Sequence, residues 1–216
     1  MSRNKYPEET YQLIMEVSMK LFITQGYEKT SLQDIISHLG GLTKGAIYHH
    51  FKSKEDILMA VVSQISQKNS VRMIDIRDNS ILSGKEKLEK MFSESLQHPS
   101  QGEIFSITPN LLDNPTFLTY YLKILVQEVI PEYVTPIIQQ GVADGSIQTP
   151  YPEALSSLIM FLSDVWLNPL IFQMSDEEMV QRASLLNHLL LPFGIRLFTD
   201  SDLQKLSEYL IISRHK

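Results

Sequence analysis

The chain of 216 residues contains no cysteine, which excludes a disulfide framework and a thiolate metal site and is typical of proteins in a reducing compartment. Long apolar runs are also missing. The longest stretch without Asp, Glu, Lys or Arg is Ala183 to Ile195, thirteen residues, whereas a membrane-spanning helix needs about 17–25. The first nine residues, MSRNKYPEE, contain no apolar segment of the kind found in signal peptides. The sequence therefore predicts a soluble, cytoplasmic protein that does not contact a membrane.

The whole chain also lacks an excess of positive charge. Nineteen Lys and Arg against 25 Asp and Glu give a net charge of −6, which by itself disfavours nucleic acid as a partner. The charge is unevenly distributed, however. Residues 1–54 carry seven basic and five acidic side chains, a balance of +2, and residues 55–216 carry twelve and twenty, a balance of −8. This asymmetry favours two domains, 1–54 facing nucleic acid and 55–216 forming an acidic body.

Hydrophobic periodicity indicates an all-α protein. Nearly every segment repeats apolar residues at a period near 3.6, and no segment alternates as a strand does. Two short helices precede a third that begins after Thr43, and Ser53 is positioned to cap a long fourth helix. Proline in a helix interior removes a backbone hydrogen bond, so Pro131 and Pro136 predict a kink or break near Ile130. The prediction is nine or ten helices, of which the later ones span about 83–99, 102–112, 114–141, 152–174, 177–198 and 200–213.

Three short helices with a tight turn before the third describe a helix-turn-helix unit. Its sequence signature consists of Gly26-Tyr27, Thr30, Asp34-Ile35 and LTKGAIYHHFKSKEDIL over 42–58. These residues closely resemble the DNA-binding signature of the TetR family of one-component transcriptional regulators. The sequence resemblance covers about residues 8–60. For the remainder of the chain, the resemblance is limited to the all-helical architecture.

The resemblance implies both an architecture and a function. A three-helix DNA-binding domain would be joined by a long helix to a larger helical domain for ligand binding and dimerisation. The protein would be a transcriptional regulator, usually a repressor, that binds a palindromic operator as a homodimer. A small-molecule inducer would release it from DNA, and no cofactor or metal would be required.

The third helix has two faces in this interpretation. Ala46, Ile47 and Phe51 can pack on the first two helices, which leaves the other side free for DNA. Glycine inside a helix costs about 1 kcal/mol relative to alanine, so Gly45 is explained if a base edge or phosphate must come close to the backbone. A frayed first turn, where glycine is harmless, is the alternative.

The DNA contacts that we predict combine hydroxyl, cationic and aromatic side chains near the second, third and fourth helices. Lys44 can donate to guanine or to a phosphate, and Lys54 lies at a helix N-terminus, where phosphates bind. The full set is Thr30, Ser31, Thr43, Lys44, Gly45, Tyr48, His49, His50 and Lys54. The alternatives are helix caps for the hydroxyl residues, packing for Tyr48 and His50, and a solvated side chain for Lys54.

The segment Gly40-Gly41-Leu42 departs from the commoner family pattern, which has a single glycine before the recognition helix. The turn is one residue longer here. This leaves open which face of the third helix enters the groove.

One helix-turn-helix unit makes too few base contacts to be selective, so such proteins usually dimerise. Apolar stripes on the two long helices near the C-terminus predict the dimer surface: Leu155, Leu158, Ile159, Leu162, Leu185, Leu186, Leu189, Leu190 and Phe193. An internal core without a dimer is the alternative for these residues.

The family also implies a small-molecule pocket in the acidic body. Candidates are Phe105, Phe117, Tyr120, Tyr121, Met160, Asp164, Trp166 and Asn168; for the aromatic residues and Met160, ordinary core packing is the alternative and the commoner role. Asp164 stands out because it interrupts an apolar helix, with Asn168 one turn later. A buried carboxylate needs a partner, and a cationic ligand is one possibility; a surface or interface carboxylate is the other.

Two other functional classes compete with this interpretation. A di-iron or zinc enzyme is disfavoured because no histidine follows a carboxylate in a Glu-x-x-His or H-E-x-x-H pattern. A P-loop and a G-x-S-x-G motif are absent as well. A non-specific DNA-packaging protein is disfavoured by the acidic body. We therefore predict that the protein is not an enzyme.

Overall fold

The computed structural model describes residues 7–42 and 44–214, and this part of the chain is helical without any β-strand. The all-α prediction is confirmed, and none of the described helices is both long and apolar enough to span a membrane. The α-helices are α1 Pro7–Gln25, α2 Leu32–His38, α3 Lys44–His50, α4 Lys54–Arg77, α5 Gly84–Gln97, α6 Pro99–Ile107, α7 Pro115–Ile124, α8 Thr135–Ala143, α9 Pro152–Met160, α10 Asp176–Leu190 and α11 Asp200–Arg214.

Local hydrogen bonds define the starts of α2 and α4. Ser31 Oγ accepts from the Asp34 N–H at 3.1 Å, and the Asp34 carboxylate accepts from the Ser31 N–H at 2.8 Å, which together make a capping box. Ser53 Oγ likewise accepts from the Asp56 N–H at 3.1 Å. Asp56, however, accepts from the N–H of Lys52, so only half of the capping box is formed at α4. Thr43, the expected cap of α3, lies outside the described residues.

The turn between α2 and α3 depends on its two glycines. Gly40 and Gly41 have φ values of +61° and +101°, a region that side chains with a Cβ atom rarely adopt. The extra residue of this turn is therefore accommodated by two consecutive residues in left-handed conformations. The orientation of α3 on DNA stays a prediction.

The segment from Pro115 to Ala143 is helical throughout, so Pro131 does not break it. Between α7 and α8 the chain forms a π-helical segment, Leu125–Val134, which contains Pro131. The wider turn re-routes backbone hydrogen bonds around the position where proline has no N–H to donate. The proline predicted to interrupt the helix is thus absorbed by a change of helical pitch.

Three predicted helices have different bounds in the structure. The helix predicted at 152–174 continues from α9 into a π-helical segment, Phe161–Trp166, and ends there, before Asn168 and Pro169. The helix predicted at 177–198 ends with α10 and a short 3₁₀ turn, and Gly194 then adopts φ +80°. The helix predicted at 102–112 is α6, which begins at Pro99, where proline is favoured at a first turn. Apolar periodicity alone therefore does not predict where these helices begin and end.

The buried side chains form two cores. The first core joins α1–α4 and also includes residues of the body, among them Ile107, Phe117 and Leu170. The second core lies within the body, between α5, α8, α9, α10 and α11. Val165 packs against both cores. Because the first core crosses residue 54, the proposed boundary between 1–54 and 55–216 lies within a continuous packing unit.

The N-terminus of α5 contacts α8 backbone to backbone. A Cβ atom added to Gly84 would lie 2.2 Å from the Gly141 nitrogen and 2.6 Å from the Ile137 carbonyl oxygen. The turn after α8 reinforces this contact, since the Gly84 N–H donates to the Asp144 carboxylate at 2.8 Å. Glycine is required at this position because the opposing atoms belong to the backbone and cannot rotate away.

We expect Gly84→Ala to destabilise the protein by about 3 kcal/mol or more, because overpacking against backbone forces two helices apart. Gly102→Ala is the matched control. Its Cβ would lie 3.8 Å from the Tyr209 ring, an ordinary contact, and alanine in a helix is favoured by about 0.5–1 kcal/mol. Chemical denaturation of both variants checks this. Equal stability of the two variants would show that α5 and α8 are not packed this closely.

Candidate DNA-binding surface and interior polar site

The third helix presents one buried and one exposed face, as its spacing predicts. Ile47 is 0% exposed and belongs to the first core. Tyr48 is 46% exposed, and Lys44, Gly45 and His49 are also exposed. The Lys44 ammonium lies 5.6 Å from the centre of the Tyr48 ring, within the range of a cation–π contact. This face therefore offers a cation, an aromatic ring with a hydroxyl, an imidazole and an uncovered backbone.

Lys54 joins the start of α4 to the loop after α1. Its ammonium donates to the Tyr27 carbonyl at 2.9 Å and lies 4.0 Å from the centre of the Tyr27 ring. The Tyr27 hydroxyl donates to Glu55 at 3.0 Å, and burial together with the nearby Glu55 carboxylate raises the pKa of Tyr27. Lys54 is thus not a freely solvated side chain. Sequence analysis included Lys54 but missed the structural roles of Tyr27 and Glu55, because the two residues are 28 positions apart.

Thr30 and Ser31 differ in their access to solvent. Thr30 is buried, and its hydroxyl donates to the Gly26 carbonyl at 2.8 Å and accepts from Gln25 at 3.1 Å. This hydroxyl is committed inside the protein, so the structure does not support a phosphate contact by the Thr30 side chain. Ser31 is exposed, and its hydroxyl donates to Asp34 at 2.6 Å. Ser31 caps α2, whereas the Thr30 side chain is bonded to residues at the end of α1.

His50 packs against α1. Its ring meets the Tyr11 ring edge-on, with 5.9 Å between centroids. Its Nε2 atom is buried and has no hydrogen-bond partner among the described residues. Burial, together with the neighbouring His49, lowers the pKa of His50, which favours the neutral ring. Of the two predicted roles, the structure favours packing against the first helix.

The stripes predicted for dimerisation divide between the inside and the outside of the chain. Leu155, Ile159, Leu186 and Leu190 are buried in the second core, and Leu162 and Phe193 pack against that core while partly exposed. These three leucines and one isoleucine therefore pack inside the single chain, as the internal-core alternative predicts. Leu158, Leu185 and Leu189 are half-exposed. Phe161 and Leu191, which sequence analysis did not include, are exposed beside them in sequence.

Only some of the candidate pocket residues come together. The Tyr121 hydroxyl donates to the Asp164 carbonyl oxygen at 2.9 Å, and the Asn168 amide donates to the same oxygen at 3.1 Å. Tyr120 packs at the edge of the first core with Phe117, and Met160 belongs to the second core, against which Trp166 packs. Phe105 instead stacks on Tyr209 of α11, with ring centroids 4.8 Å apart. Tyr121, Asp164 and Asn168 therefore form a polar cluster where the two cores meet, and Phe105 lies in a different contact.

Asp164 is partly exposed and lies next to Val165, which packs against both cores. No hydrogen-bond donor or cation contacts this carboxylate within the described chain, and burial raises the pKa of Asp164 to about 7. Burial also raises the pKa of Tyr121, and the Asp164 carboxylate raises it further. The Arg182 guanidinium contacts Trp166, two residues after Asp164. It donates to the Trp166 carbonyl at 2.9 Å and lies 5.3 Å from the centre of the Trp166 ring.

This burial predicts an unusual dependence of stability on pH. The folded protein holds the Asp164 proton up to about pH 7, while the unfolded chain releases it near 3.8. The free energy of unfolding should therefore fall as pH rises from 4 to 7, since the folded state binds more protons. Tyr121, the titratable group facing Asp164, stays protonated throughout this range because its pKa is raised above 10.

Asp164→Asn should remove this component. We expect the free energy of unfolding of the variant, minus that of the unsubstituted protein, to increase by about 1–2 kcal/mol from pH 5 to pH 8. This range allows for partial solvent screening. Urea denaturation at a fixed protein concentration measures the difference, with Glu128→Gln, an exposed carboxylate on the π-helical segment, as control. A pH-independent difference would mean that Asp164 is well solvated in the folded protein.

Within the described residues, no group of three or more His, Asp or Glu side chains is arranged to hold a metal ion.

Comparison with known proteins agrees with this geometry. Residues 14–61 match the family model described as bacterial regulatory proteins, tetR family. The uncharacterized HTH-type transcriptional regulator YuxN of Bacillus subtilis is 31% identical over 94 residues, which are 42% of this chain and 32% of that protein. The HTH-type transcriptional repressor AcnR of Corynebacterium glutamicum is 24% identical over 79% of this chain and 87% of its own.

The similarity to solved structures extends over most of the chain. A TetR-family transcriptional regulator from Pectobacterium atrosepticum superimposes with a TM-score of 0.61 at 23% identity, covering 89% of this chain and 97% of that one. The sequence relatives are more limited, since the chain spans 28–43% of the length of the first three curated relatives. We conclude that residues 14–61 form a helix-turn-helix DNA-binding domain of the kind found in the TetR family of bacterial transcriptional regulators, and that the chain shares the fold of solved TetR-family structures.

Proposed function

We propose that the protein is a homodimeric repressor that binds a palindromic operator and is released from it by a small-molecule effector. The observation that carries this proposal is the exposed face of α3. Lys44, Gly45, Tyr48 and His49 are exposed on it, while Ile47 anchors the helix in the first core. AcnR, a relative that aligns over most of its own length, is a transcriptional repressor. The protein would act in the cytoplasm, without catalysis or a cofactor.

The DNA contacts in this proposal centre on α3. Lys44 donates to a guanine or a phosphate, and Tyr48 and His49 contact the backbone or bases beside it. Gly45 lets the DNA approach the helix. Ser31 and Lys54 contribute from the starts of α2 and α4, where backbone N–H groups favour phosphates, while Thr30 and His50 support the domain from inside. Thr43, next to the start of α3, remains part of the proposed surface on its sequence position alone.

Dimerisation uses the exposed apolar residues on α9 and α10 and directly after these helices. Leu158 and Phe161 on the α9 side and Leu185, Leu189 and Leu191 on the α10 side are 41–58% exposed in the single chain. Exposed apolar patches of this kind usually mark an interface. To bind a palindromic operator, a dimer formed through these faces must present its two α3 helices to major grooves about 34–36 Å apart, one helical turn.

Regulation follows from where the polar cluster lies. Tyr121 packs against the first core, which contains the whole helix-turn-helix unit, and Val165 packs against both cores. A ligand that displaces these side chains would therefore change the packing behind α4, the helix that connects the DNA-binding helices to the body. The effector acts on operator affinity through this contact.

DNase I footprinting on operators selected from random DNA tests the proposal. The expected result is protection of a palindromic sequence at moderate salt, with a log–log salt slope that gains about −0.9 for each phosphate contact. Equal affinity for unrelated sequences would overturn it.

A further inference from the structure

We infer that Lys87 and Arg77 fix the C-terminal end of α4 to the body, and that this attachment, the α4 clamp, sets the spacing of the operator half-sites that the protein accepts. The spacing part of the inference rests on the proposed function, since it concerns two helix-turn-helix units in one dimer. It begins from Lys87, a residue of α5 that is only 4% exposed, although lysine is almost never fully buried unless it is paired.

The buried ammonium of Lys87 joins three helices. It donates to the Arg77 carbonyl, in the last residue of α4, at 2.6 Å, and to the side-chain oxygen of Gln140 on α8. Both acceptors are uncharged. The last carbonyls of a helix have no partner within the helix and carry a partial negative charge, which favours a cation beside them. Lys87 therefore caps α4 from a neighbouring helix.

The side chain of Arg77 makes a second attachment at the same helix end. Its guanidinium donates to the Glu132 carbonyl at 3.0 Å and lies 5.8 Å from the centre of the Tyr133 ring, both on the π-helical segment Leu125–Val134. Asp78 accepts from the same guanidinium at 2.7 and 3.0 Å, which orients it. Arg77 is thus bonded to α5 through its carbonyl and to the π-helical segment through its side chain.

The body side of the clamp is closely packed. The backbone contact between Gly84 and Gly141 already holds α5 against α8. The Lys85 N–H donates to the Ser146 hydroxyl at 3.1 Å, and the Gln140 amide donates to the carbonyl of Leu82, just before α5, at 3.0 Å. Since α5 and α8 form one unit, the bonds of Lys87 fix the end of α4 relative to that unit.

Two attachments at different heights determine the direction of α4. Its N-terminal half buries Ile57 and Leu58 in the first core, together with the helix-turn-helix unit. Its C-terminal half exposes Val71 and Ile74 and contributes Ile76 to the second core, beside the clamp. Without the clamp, the first core would be the main attachment, and α4 could tilt together with the helix-turn-helix unit.

A small tilt is enough to change the operator. Neighbouring base pairs lie about 3.4 Å apart, so one more base pair between the half-sites requires each α3 to move by about 1.7 Å. Over the 24 residues of α4, a length of about 36 Å, this displacement is a tilt of about 3°. The half-sites also rotate against each other by about 35° for each base pair. Two attachments oppose such adjustments more strongly than one.

Operators with one base pair added or removed between the half-sites test this inference with the full-length protein. The unsubstituted protein should bind the selected operator at least about tenfold more tightly than either altered operator. Lys87→Met, which keeps the side-chain length and removes the donors, should reduce that ratio at least about threefold. Lys90→Met, at an exposed lysine three residues later on α5, should leave it unchanged. Because the ratio compares two DNAs on one protein sample, loss of folded protein does not alter it.

Hydrogen–deuterium exchange of the free protein tests the clamp without DNA. The Asp78 N–H donates to the Ile74 carbonyl at 2.9 Å in the last turn of α4. In Lys87→Met this amide and its neighbours should exchange at least about tenfold faster. The amides around Leu58, in the first core, should exchange as before.

Each contrary result has a definite meaning. Faster exchange with an unchanged spacing preference would overturn the inference, because the first core would then position the helix-turn-helix unit alone and Lys87 would serve only stability. Unchanged exchange would overturn it too, since Lys87 would not hold α4. If Lys87→Met does not fold, Arg77→Gln replaces it, because the Arg77 side chain is 28% exposed. A spacing preference in Arg77→Gln as strict as that of the unsubstituted protein would then overturn the inference.

The same experiment separates this inference from the proposed function. If the unsubstituted protein selects no operator, the repressor proposal fails and the spacing inference fails with it. If the protein selects an operator and Lys87→Met keeps the same spacing preference, the repressor proposal stands and only the spacing inference fails.

Discussion

Lys44→Ala is expected to lower operator affinity by about 100-fold or more while leaving the fold and the dimer intact. A direct contact to a guanine is worth about 1–3 kcal/mol, and a homodimer loses it twice. The Lys44 side chain is exposed at the start of α3 and supports no core residue, so unfolding should not contribute. Fluorescence anisotropy with operator DNA measures the change, and Lys123→Ala, an exposed lysine on α7, is the control.

The salt dependence then identifies the atom that Lys44 contacts. If Lys44 binds a phosphate, the substitution should reduce the salt slope by about 0.9 for each subunit. If Lys44 binds a base, the slope should stay nearly constant and discrimination at one operator position should be lost. Tyr48→Ala is expected to weaken binding similarly, and Tyr48→Phe separates the hydroxyl from the ring. Loss of the dimer in Lys44→Ala would reassign this residue to folding.

Glutamate at both Leu185 and Leu189 is expected to convert the dimer to a monomer. Both side chains are half-exposed in the single chain, so the charges would be tolerated in the monomer and desolvated only at the interface. Burying a leucine is worth about 1.5–3 kcal/mol, and a dimer buries four of these side chains. The dimer dissociation constant should therefore rise by about three orders of magnitude or more.

Sedimentation velocity at micromolar concentration measures this change, and operator affinity should fall with it. Leu112→Glu is the matched control, because Leu112 is 58% exposed and lies in the loop before α7. A double variant that stays dimeric would place the subunit interface elsewhere. A control variant that dissociates would show that added negative charge, rather than its position, disrupts the dimer.

Helical periodicity was sufficient to predict the DNA-binding helices. Ile47 and Phe51 lie four residues apart and are both buried, so the opposite face of α3 had to be exposed. This inference needs only local geometry, since the helix is short and has one apolar side. The same logic located α4, with Ser53 as its N-cap.

Periodicity was insufficient where a helix is apolar on more than one side. Leu155 and Leu158 look alike in sequence, yet Leu155 lies in the core and Leu158 is half-exposed. Which side of such a helix faces its own chain depends on how the neighbouring helices pack. The ends of α9 and α10 were missed for a related reason. The apolar spacing continues beyond Pro169 and Gly194, but the backbone does not stay helical there.

The polar cluster depended on contacts that sequence alone does not supply. Asp164 and Asn168 were candidates because they interrupt an apolar helix, but Tyr121 joins them across 43 positions of the chain. Phe105 was a candidate for the same reason as Tyr121, namely its aromatic side chain, but it stacks on Tyr209 of α11 and does not join the cluster. Residue type made both aromatic residues candidates for the pocket. Only the packing of α6, which carries Phe105, and of α7, which carries Tyr121, distinguishes them.

We expect the exposed face of α3 to recognise a specific DNA sequence in a dimer. Selection of operators from random double-stranded DNA, followed by affinity measurement at several salt concentrations, tests it most directly. The predicted result is one palindromic motif with half-site centres about one helical turn apart, bound at least about 1,000-fold more tightly than random DNA. Recovery of no common motif, or equal binding of the motif by the Lys44→Ala variant, would show that α3 does not recognise a specific sequence.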